Sequence, residues 1–372
     1  MLASLKVQGF RNFQEEIVFN FRTEKSYEFN TNVVKDGKAR HSLVYGLNGF
    51  GKSNLGLAIL DLKCHLTDHS ITPLLHINYL NTPLNNESAI AEFEYEFEFG
   101  NSVVRYKYGK KKCNETVYES LEINDVLVVA IDRRVSELAT YNLAGASGLK
   151  NDFTDKAISP VKFIASNALL DSDPINDTFT NFIKFVDGMV FFRTLTKGTE
   201  SHGQPLEPKR VSQSIIEQGK LKDFEKFLNE SGVECELVQA GTPGDERINF
   251  KFGKKSLEFA SVASTGTISL GNFYYWYLKL LKGDITFAYI DEFDAYYHYA
   301  LAESIVKLVA KTNCQSVITS HNSSLLSNYI LRPDCYFILK KNSIKPLCEL
   351  TDRELRKAHN LEKMFRSGAF DE

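Results

Sequence analysis

The sequence predicts an α/β fold with three parts: a mixed core sheet with flanking helices, an antiparallel β lobe and an inserted helical subdomain. Three observations support this prediction. Residues 42–66 follow the order strand, glycine loop, helix; residues 91–99 alternate strictly between apolar and acidic side chains; and short apolar strands after residue 285 each end in a polar turn. The first and third are typical of parallel strands joined by helices, and the second is typical of a half-buried antiparallel strand.

Composition and charge limit the class of protein. The 372 residues are 43% hydrophobic and 24% charged, as in a globular chain with a large core. The formal net charge is −3 and the pI is near 6.3, so nucleic-acid binding would have to come from a local basic patch. The six cysteines contain no C-x-x-C pair and no zinc-ligand spacing. The sequence shows no signal core and no run of roughly 20 apolar residues, so we expect a cytoplasmic protein with reduced thiols and no membrane contact.

We expect residues 1–134 to form the N-terminal part of the fold. In residues 91–99 the apolar side chains share one face and four glutamates share the other, while Arg105 and Lys107 on the returning strand supply the opposite charge. A metal site is an alternative for this acidic stripe, but a solvated sheet face explains it more simply. The predicted strands of this part cover residues 2–10, 15–21, 42–45, 91–99, 103–108 and 121–131.

We expect residues 135–245 to form the inserted helical subdomain and residues 246–372 to complete the fold. Apolar residues recur at helical spacing in residues 175–186 and 224–228. Residues 197–210, between them, contain glycines and prolines that predict a mobile loop. Heptads are not sustained, so we expect no coiled-coil arm.

The segment Gly46-Leu47-Asn48-Gly49-Phe50-Gly51-Lys52-Ser53 matches the phosphate-binding pattern G-x-x-x-x-G-K-[ST] without deviation. Glycines allow backbone N–H groups to converge on phosphate oxygens, and the next helix directs the positive end of its dipole at them. This chemistry predicts ATP and Mg²⁺ as ligands, with Lys52 on the β- and γ-phosphates and Ser53 on the metal. A chance glycine turn is the alternative. The predicted nucleotide contacts in this segment are Gly46, Asn48, Gly49, Gly51, Lys52, Ser53 and Asn54.

Residues 285–292 form an apolar strand that ends in Asp291 and Glu292, which is the pattern known as Walker B. Together with the glycine loop, this pattern predicts that Asp291 holds Mg²⁺ through water and that Glu292 orients the attacking water. The alternative is an ordinary strand end whose carboxylate caps a helix.

Two further motifs follow in the chain. A strand over residues 316–319 ends in Ser320-His321, and Ser264-Thr265-Gly266-Thr267 precedes an amphipathic helix predicted over residues 267–282. A structural histidine and a plain Ser/Thr N-cap are the alternatives.

Residues 46–53 and 264–321 resemble the ABC/SMC-type ATPases. The resemblance implies that His321 is a switch histidine on the γ-phosphate, and that Ser264 and Gly266 face the γ-phosphate of a partner subunit. It therefore implies a homo-oligomer, either an ATP-dependent head-to-tail dimer or a higher assembly. The sequence S-T-G-T departs from the commoner L-S-G-G-Q, and the glutamine loop of that family has no clear counterpart in residues 60–135. The catalytic residues implied are Lys52, Glu292 and His321.

Further residues narrow the resemblance. Val7-Gln8-Gly9-Phe10-Arg11-Asn12-Phe13 looks like the opening of the OLD/RecF-like group, and Asp291-Glu292-Phe293-Asp294 with His298 looks like its D-E-x-D-x-x-x-H motif. Residues 359–368 resemble the C-terminal element of prokaryotic abortive-infection ATPases of the AAA class. The resemblance implies a sensor or scaffold in antiviral defence, with a phage protein as trigger and a separate effector such as a Toprim- or RloB-like nuclease. The sequence after His321 is too short for a Toprim nuclease, so we expect any nuclease on another chain.

Two other functions remain open. One is a RecF-like DNA repair ATPase, and the other is a nucleotide switch that hydrolyses ATP very slowly. Basic clusters occur in residues 107–112, at Arg133-Arg134 and at Lys254-Lys255, and solvated loops explain them more simply than DNA contacts. Arg133-Arg134 is the first candidate for DNA, because it follows a strand. Salt-sensitive DNA binding would favour repair, and rapid turnover would exclude the slow switch.

Overall fold

Two seven-stranded sheets organise the computed structural model, which describes residues 1–69, 71–81, 89–193, 200–202 and 211–371. The strands are, in chain order, β1 (Leu2–Gln8), β2 (Ile17–Asn20), β3 (Val34–Lys35), β4 (Lys38–Ala39), β5 (His41–Gly46), β6 (Ala91–Phe99), β7 (Ser102–Lys112), β8 (Glu115–Ile123), β9 (Val126–Asp132), β10 (Thr140–Tyr141), β11 (Met189–Arg193), β12 (Glu200–His202), β13 (Leu237–Ala240), β14 (Arg247–Phe252), β15 (Lys255–Glu258), β16 (Phe287–Asp291), β17 (Gln315–Thr319), β18 (Tyr336–Lys340) and β19 (Ser343–Pro346). The α-helices are α1 (Lys52–Leu66), α2 (Pro73–His76), α3 (Pro160–Asn167), α4 (Pro174–Asp187), α5 (Val211–Glu217), α6 (Leu221–Glu230), α7 (Phe259–Val262), α8 (Thr265–Lys282), α9 (Tyr299–Val309) and α10 (Leu361–Arg366).

The core sheet has the strand order β12-β11-β16-β17-β5-β18-β19. Its five inner strands are parallel, and the edge strands β12 and β19 run antiparallel to their neighbours. Strands β16 and β17 are buried along their whole length, as expected for parallel strands covered on both faces. The carboxyl ends of β11, β16, β17 and β5 therefore meet at one edge of the sheet.

The antiparallel lobe has the strand order β10-β9-β8-β7-β6-β1-β2. Glu94 lies opposite Lys107 and Glu96 lies opposite Arg105, and each pair forms a salt bridge, so these two glutamates of the acidic stripe are neutralised across the hairpin. The single strand predicted over residues 121–131 is two strands, β8 and β9. The chain reverses between them because Asn124 and Asp125 both adopt left-handed backbone angles, as a tight hairpin turn requires.

Helix α1 lies between the core sheet and the lobe. A Cβ atom at Gly56 would lie within 2.6 Å of ring atoms of Tyr289 and Phe191, so glycine is what allows the helix to approach the core sheet this closely. On the lobe side, the Asp61 carboxylate accepts hydrogen bonds from Lys110 Nζ at 2.8 Å and from the Tyr108 hydroxyl at 2.9 Å. The expectation of a solvated basic cluster in residues 107–112 is therefore wrong for Lys110, because this lysine is a buried counter-charge.

Residues 135–245 contain the predicted helices as α4 and α6, but they also contribute strands. The apolar run of β11 is buried in the core sheet beside β16, and β13 joins β14 and β15 in a three-stranded sheet. A purely helical insertion is therefore corrected to a region that returns to the core sheet. Of the predicted loop over residues 197–210, the described part is the strand β12, and the rest lies outside the described residues. The divisions at residues 134 and 245 remain predictions.

Candidate active site

The carboxyl edge of the core sheet brings together most of the residues that the sequence singles out. Strand β5 ends at Gly46 and continues into the glycine loop, β16 ends at Asp291, and β17 ends at Thr319. Asp291 is followed by Glu292, and Thr319 is followed by Ser320-His321. The glycine loop and these two polar segments therefore lie at the same edge of the sheet. In open α/β sheets, ligands bind at this edge.

The backbone of the glycine loop depends on two residues with left-handed angles. Gly49 has φ +82° and Gly51 has φ +101°, which side chains other than glycine rarely tolerate. A Cβ atom at Gly51 would also lie 2.6 Å from the amide group of Asn12. The loop then enters α1, whose first residues are Lys52 and the half-buried Ser53.

Asn12 braces the glycine loop from the N-terminal segment. Its Nδ2 atom donates to the Phe50 carbonyl at 3.0 Å, and its Oδ1 atom accepts from Asn54 Nδ2 at 2.6 Å. The Asn54 side chain is therefore bonded to Asn12, and its predicted contact with the nucleotide remains a prediction. The motif in residues 7–13 indicates a family resemblance but does not predict this contact with the glycine loop.

The Lys52 side chain is buried beneath the loop. Its Nζ atom donates to the Gly46 carbonyl at 2.8 Å and lies 3.4 Å from the Leu47 carbonyl. Burial lowers the pKa of Lys52, while the nearby carboxylates of Glu292 and Asp291 oppose that shift. The hydroxyl of Tyr289, which lies in β16, donates to the Lys52 carbonyl and holds the start of α1 against that strand.

One carboxylate oxygen of Asp291 has a hydrogen-bond partner, and the other has none. The side chain is fully buried, and Oδ1 accepts a hydrogen bond from Thr319 Oγ1 at 2.8 Å. Oδ2 is buried and has no hydrogen-bond partner, and Arg193 Nε lies 3.9 Å away. An unsatisfied buried carboxylate oxygen is costly unless a cation neutralises it, so the site fits a divalent cation.

Glu292 occupies an unusual backbone conformation next to His321. Its φ is +49°, which is rare for a residue with a long side chain and stores strain that is typical of functional sites. Its backbone N–H donates to Thr319 Oγ1 at 2.8 Å, and its Oε1 atom lies 3.7 Å from His321 Nε2. Both side chains retain partial exposure to solvent.

Asp294 and His298 complete the acidic motif after β16. Asp294 Oδ2 accepts from Ser320 Oγ at 2.6 Å, and burial raises the pKa of this carboxyl group. His298 is exposed and precedes the first turn of α9 without a capping hydrogen bond from its side chain. The motif therefore places Asp294 against β17 and leaves His298 at the surface.

Ser264 caps helix α8. Its Oγ atom accepts from the Thr267 N–H at 3.2 Å, and the side chain is exposed. The carbonyl of Tyr296 lies 3.4 Å from the position that a Cβ atom would take at Gly266, so the start of α8 adjoins the loop after Walker B. The capping role is therefore present, and a role in a partner subunit's site remains a prediction.

The first candidates for DNA contact are engaged within the protein. Arg133 donates to the Ile158 carbonyl at 2.8 Å and to the Thr116 carbonyl at 3.3 Å. Arg134 forms a salt bridge of 2.7 Å with Asp132. Their arrangement accounts for both arginines without a nucleic acid.

Three residues of the site were missed by sequence reasoning: Asn12, Arg193 and Thr319. Arg193 ends β11, which pairs with the strand of Asp291. This residue lies outside the range 60–135, where the family resemblance would place a glutamine loop. Within the described residues, no group of three or more His, Cys, Asp and Glu side chains is arranged to hold a metal. No helix in this described part is long and apolar enough to cross a membrane.

Residues 42–327 match a family model described as "AAA domain, putative AbiEii toxin, Type IV TA system". No curated protein matches the chain. Among solved structures, an SmcHead bound to the C-winged helix domain of ScpA is similar, with a TM-score of 0.51, 14% identity, and coverage of 92% of this chain and 96% of that chain.

Two further structures are similar at lower scores. An Smc head domain with an extended coiled coil, bound to the C-terminal domain of ScpA derived from Pyrococcus furiosus, has a TM-score of 0.47 and 12% identity, covering 92% of this chain and 95% of that one. An SMC head domain from Thermotoga maritima has a TM-score of 0.43 and 15% identity, covering 93% and 98%. The likeness to the SmcHead confirms the predicted fold class, an ABC/SMC-type P-loop head with an antiparallel lobe.

Proposed function

The chain belongs to the AAA domain family that its residues 42–327 match, and on that premise we propose that it binds ATP with Mg²⁺, hydrolyses it and uses it to join copies of the chain. One observation carries the proposal. Lys52, the Asp291-Glu292 pair and His321 meet at the carboxyl edge of the core sheet, beside the glycine loop. These are the parts that phosphoryl transfer to water needs: a phosphate cradle, a cation, a metal ligand and a group that orients water.

The glycine loop and α1 supply the phosphate site. Gly49 and Gly51 allow the backbone N–H groups to turn toward an anion, and the N-terminus of α1 adds the positive end of its dipole. Lys52 Nζ is held at the loop by the Gly46 carbonyl. A buried ammonium group bonded to neutral carbonyls gains from the arrival of phosphate oxygens, because charge-assisted hydrogen bonds are stronger.

Ser53 and Asp291 are the residues that would hold Mg²⁺. The cation prefers oxygen ligands and keeps several waters, so it is usually bound by one or two protein groups together with the phosphates. The Oδ2 atom of Asp291, which has no hydrogen-bond partner, would serve this purpose. When bound, Mg²⁺ neutralises charge on the β- and γ-phosphates.

In this proposal Glu292 acts on the water and His321 acts on the γ-phosphate. The carboxylate of Glu292 is partly exposed and lies beside His321, so it can accept a hydrogen bond from a water. His321 can hydrogen-bond a phosphate oxygen through the nitrogen that faces Glu292. The two groups would hold the water in line with the γ-phosphate, in addition to the charge stabilisation that Lys52 and Mg²⁺ would supply.

The test is ATP binding by calorimetry together with phosphate release. The wild-type protein should bind ATP, and Lys52→Ala should lose most of that binding because the loop has no other cation at this position. Lys307→Ala is a matched control, since Lys307 pairs with Glu303 on the exposed face of α9. If Lys52→Ala matches the wild type in both assays, the site is not a P-loop.

We also propose that ATP joins two copies head to tail, with Ser264 and Gly266 of one copy facing the nucleotide of the other. The exposure of Ser264 and its place at the N-terminus of α8 support this proposal, because a helix N-terminus favours an anion. Light scattering with and without ATP would measure the association. A protein that stays monomeric with ATP at high concentration would contradict it.

The biological role that we propose is a sensor or scaffold in prokaryotic abortive infection that controls a separate effector. The family description, which includes a toxin of a type IV toxin–antitoxin system, supports a role in cell defence. The resemblance of residues 359–368 to abortive-infection ATPases supports the same context. An effector nuclease and a phage protein as trigger would complete the system.

Expression of the chain with and without its genomic neighbours tests this role. We expect phage-dependent growth arrest only when the neighbours are present, and co-purification of an effector that changes with ATP. Lys52→Ala should abolish the arrest. Growth arrest by this chain alone would mean that it is the toxic component itself, with no separate effector.

The alternative of a RecF-like DNA repair ATPase gains no support from the first candidates for DNA contact, since Arg133 and Arg134 are engaged within the protein. Binding of duplex DNA with ATP at two salt concentrations would decide between the readings. Affinity that falls steeply with salt would favour repair. If the protein binds no DNA even at low salt, the repair alternative is excluded and the defence role is retained.

A further inference from the structure

Three consecutive residues at the end of β17 each engage a different carboxylate of the acidic motif after β16. Thr319 Oγ1 donates to Asp291 at 2.8 Å, and Ser320 Oγ donates to Asp294 at 2.6 Å. His321 Nε2 lies 3.7 Å from a carboxylate oxygen of Glu292. The residues at the end of β17 thus donate hydrogen bonds to two of the three carboxylates and lie beside the third.

Thr319 makes the central contact of this set with a single hydroxyl group. Its Oγ1 atom donates its only proton to Asp291 Oδ1 and accepts the backbone N–H of Glu292, with both distances at 2.8 Å. Thr319 is fully buried, so no bulk water competes for either bond. The hydroxyl therefore fixes the Mg²⁺ ligand and the water-orienting residue relative to each other.

Both of these bonds have consequences for the chemistry. The bond to Oδ1 leaves Oδ2 as the oxygen of Asp291 without a hydrogen bond, and so determines which oxygen can meet a cation. The bond from the Glu292 N–H supports a backbone with φ +49°, which an L-residue adopts only when its surroundings hold it. A change in the position of β17 would move both groups together.

We propose that Thr319 is a positioning residue for ATP hydrolysis: its hydroxyl sets the free oxygen of Asp291 toward the metal and the Glu292 side chain toward the water. The inference rests on the proposed ATPase function and adds the residue that couples the two carboxylates. In this proposal Thr319 acts on the reaction only through Asp291 and Glu292. Ser320 and His321 extend the same coupling along the strand.

The test compares Thr319→Val, which keeps the shape and removes the hydroxyl, with Thr319→Ser, which keeps the hydroxyl. The inference predicts that Thr319→Val lowers kcat by at least about tenfold, with a smaller change in KM, and raises the Mg²⁺ concentration needed for half-maximal rate. Thr319→Ser should restore both quantities to near the wild-type values. Calorimetry measures ATP affinity independently of hydrolysis. In EDTA, Thr319→Val should bind ATP as tightly as the wild type does. Mg²⁺ should then raise the affinity of the wild type but not that of Thr319→Val.

Thr312→Val is the matched control. Thr312 is also buried, and its hydroxyl donates to the Val309 carbonyl. It lies just before the start of β17, whereas Thr319 lies at the end of that strand. This variant should show the wild-type dependence on Mg²⁺. If Thr319→Val does not fold, Thr319→Ala supplies the same comparison with room for a water. A Mg²⁺ dependence and kcat equal to wild type in the hydroxyl-free variant would overturn the inference, whereas a wild-type protein that binds no ATP would overturn the proposed function instead.

Discussion

Arg193 Nε lies 3.9 Å from Asp291 Oδ2, and each of these buried atoms lacks a hydrogen bond. The two residues end neighbouring parallel strands and are register partners. Among the described residues, Arg193 is the one whose cationic side chain forms an ion pair with the carboxylate oxygen that we assign to Mg²⁺. In the absence of nucleotide, its guanidinium group offsets part of the charge of a fully buried carboxylate.

Replacing Arg193 with methionine should weaken the nucleotide-free protein, because Asp291 then keeps a buried charge with less compensation. We expect a loss of about 1–2 kcal/mol in the free energy of unfolding, since Arg193 is partly exposed to solvent. Urea unfolding without nucleotide, with and without Mg²⁺, measures it, and Mg²⁺ should recover more stability in the variant than in the wild type. Arg134→Met, which removes an exposed ion pair with Asp132, should change stability by less than about 0.5 kcal/mol. Equal losses in the two variants would show that the charge at Asp291 is not the cause.

Glu292→Gln should bind ATP but hydrolyse it at least about a hundredfold more slowly, because glutamine keeps the shape and loses the charge that orients water. The ATP-joined form should then accumulate, as a larger particle in light scattering. Glu303→Gln, at a half-buried glutamate of α9 that pairs with Lys307, is the control and should turn over normally. Normal turnover by Glu292→Gln would assign the water to another group.

Ser264 allows its two possible roles to be separated, because aspartate is also a good N-cap. Ser264→Asp should keep the helix cap and the stability of the chain, but place a negative charge where a partner's γ-phosphate would bind. We expect it to bind ATP as a dilute monomer and to fail in ATP-dependent association and hydrolysis. Ser264→Ala should instead lose about 1 kcal/mol of stability with little effect of charge.

The bulkier Ser264→Glu and a Gly266 variant with a side chain should also block association. Mixing Ser264→Asp with Lys52→Ala should restore some hydrolysis, since one composite site in the mixed pair keeps an intact loop and an intact α8 N-terminus. Association and turnover at wild-type levels by Ser264→Asp would leave Ser264 as a helix cap alone.

Acid should destabilise the protein through His41. Burial lowers the pKa of His41 from 6.5 to about 3, so the folded chain keeps this histidine neutral while the unfolded chain binds a proton. Its stability contribution is complete above pH 6.5 and is lost as the pH falls from 6.5 toward 3, at up to about 1.4 kcal/mol per pH unit.

Comparison of wild type with His41→Gln by urea unfolding at pH 7.5 and 5.0 isolates this effect. The variant should lose less stability between the two conditions, by about 1–2 kcal/mol. His65 should add to the loss in both proteins, because burial lowers its pKa as well. Parallel curves for the two proteins would mean that His41 is not the group that responds to acid.

Structural features that depend on a short, continuous stretch of sequence could be predicted from the sequence alone. The strand, glycine loop and helix around Lys52 follow from one continuous motif, and the alternation in residues 91–99 determines both faces of β6. The strands that end at Asp291 and Thr319 are apolar runs with polar ends, so their parallel arrangement was also predictable.

Features that depend on distant partners were not predictable in this way. Lys110 lies in a run of lysines that resembles a solvated loop, and its buried partner Asp61 comes from α1. The four apolar residues that open β11 follow α4 so closely that their periodicity cannot separate a strand from more helix. Arg193 belongs to no motif, and the motif that contains Thr319 does not predict its contacts, because both residues meet Asp291 across neighbouring strands.

The order of strands in the core sheet constrains when the nucleotide site can exist during synthesis. Strand β5, which leads into the glycine loop, pairs with β17 and β18, and both are made only after residue 314. A growing chain thus carries the phosphate-binding sequence early but has no scaffold for it until most of the protein has left the ribosome. Pairing between strands that lie far apart in the sequence slows folding, and the apolar strand β5 stays unpaired until β17 and β18 have been made. Truncated products would therefore lack nucleotide-dependent activity, so that only complete copies could act in the cell.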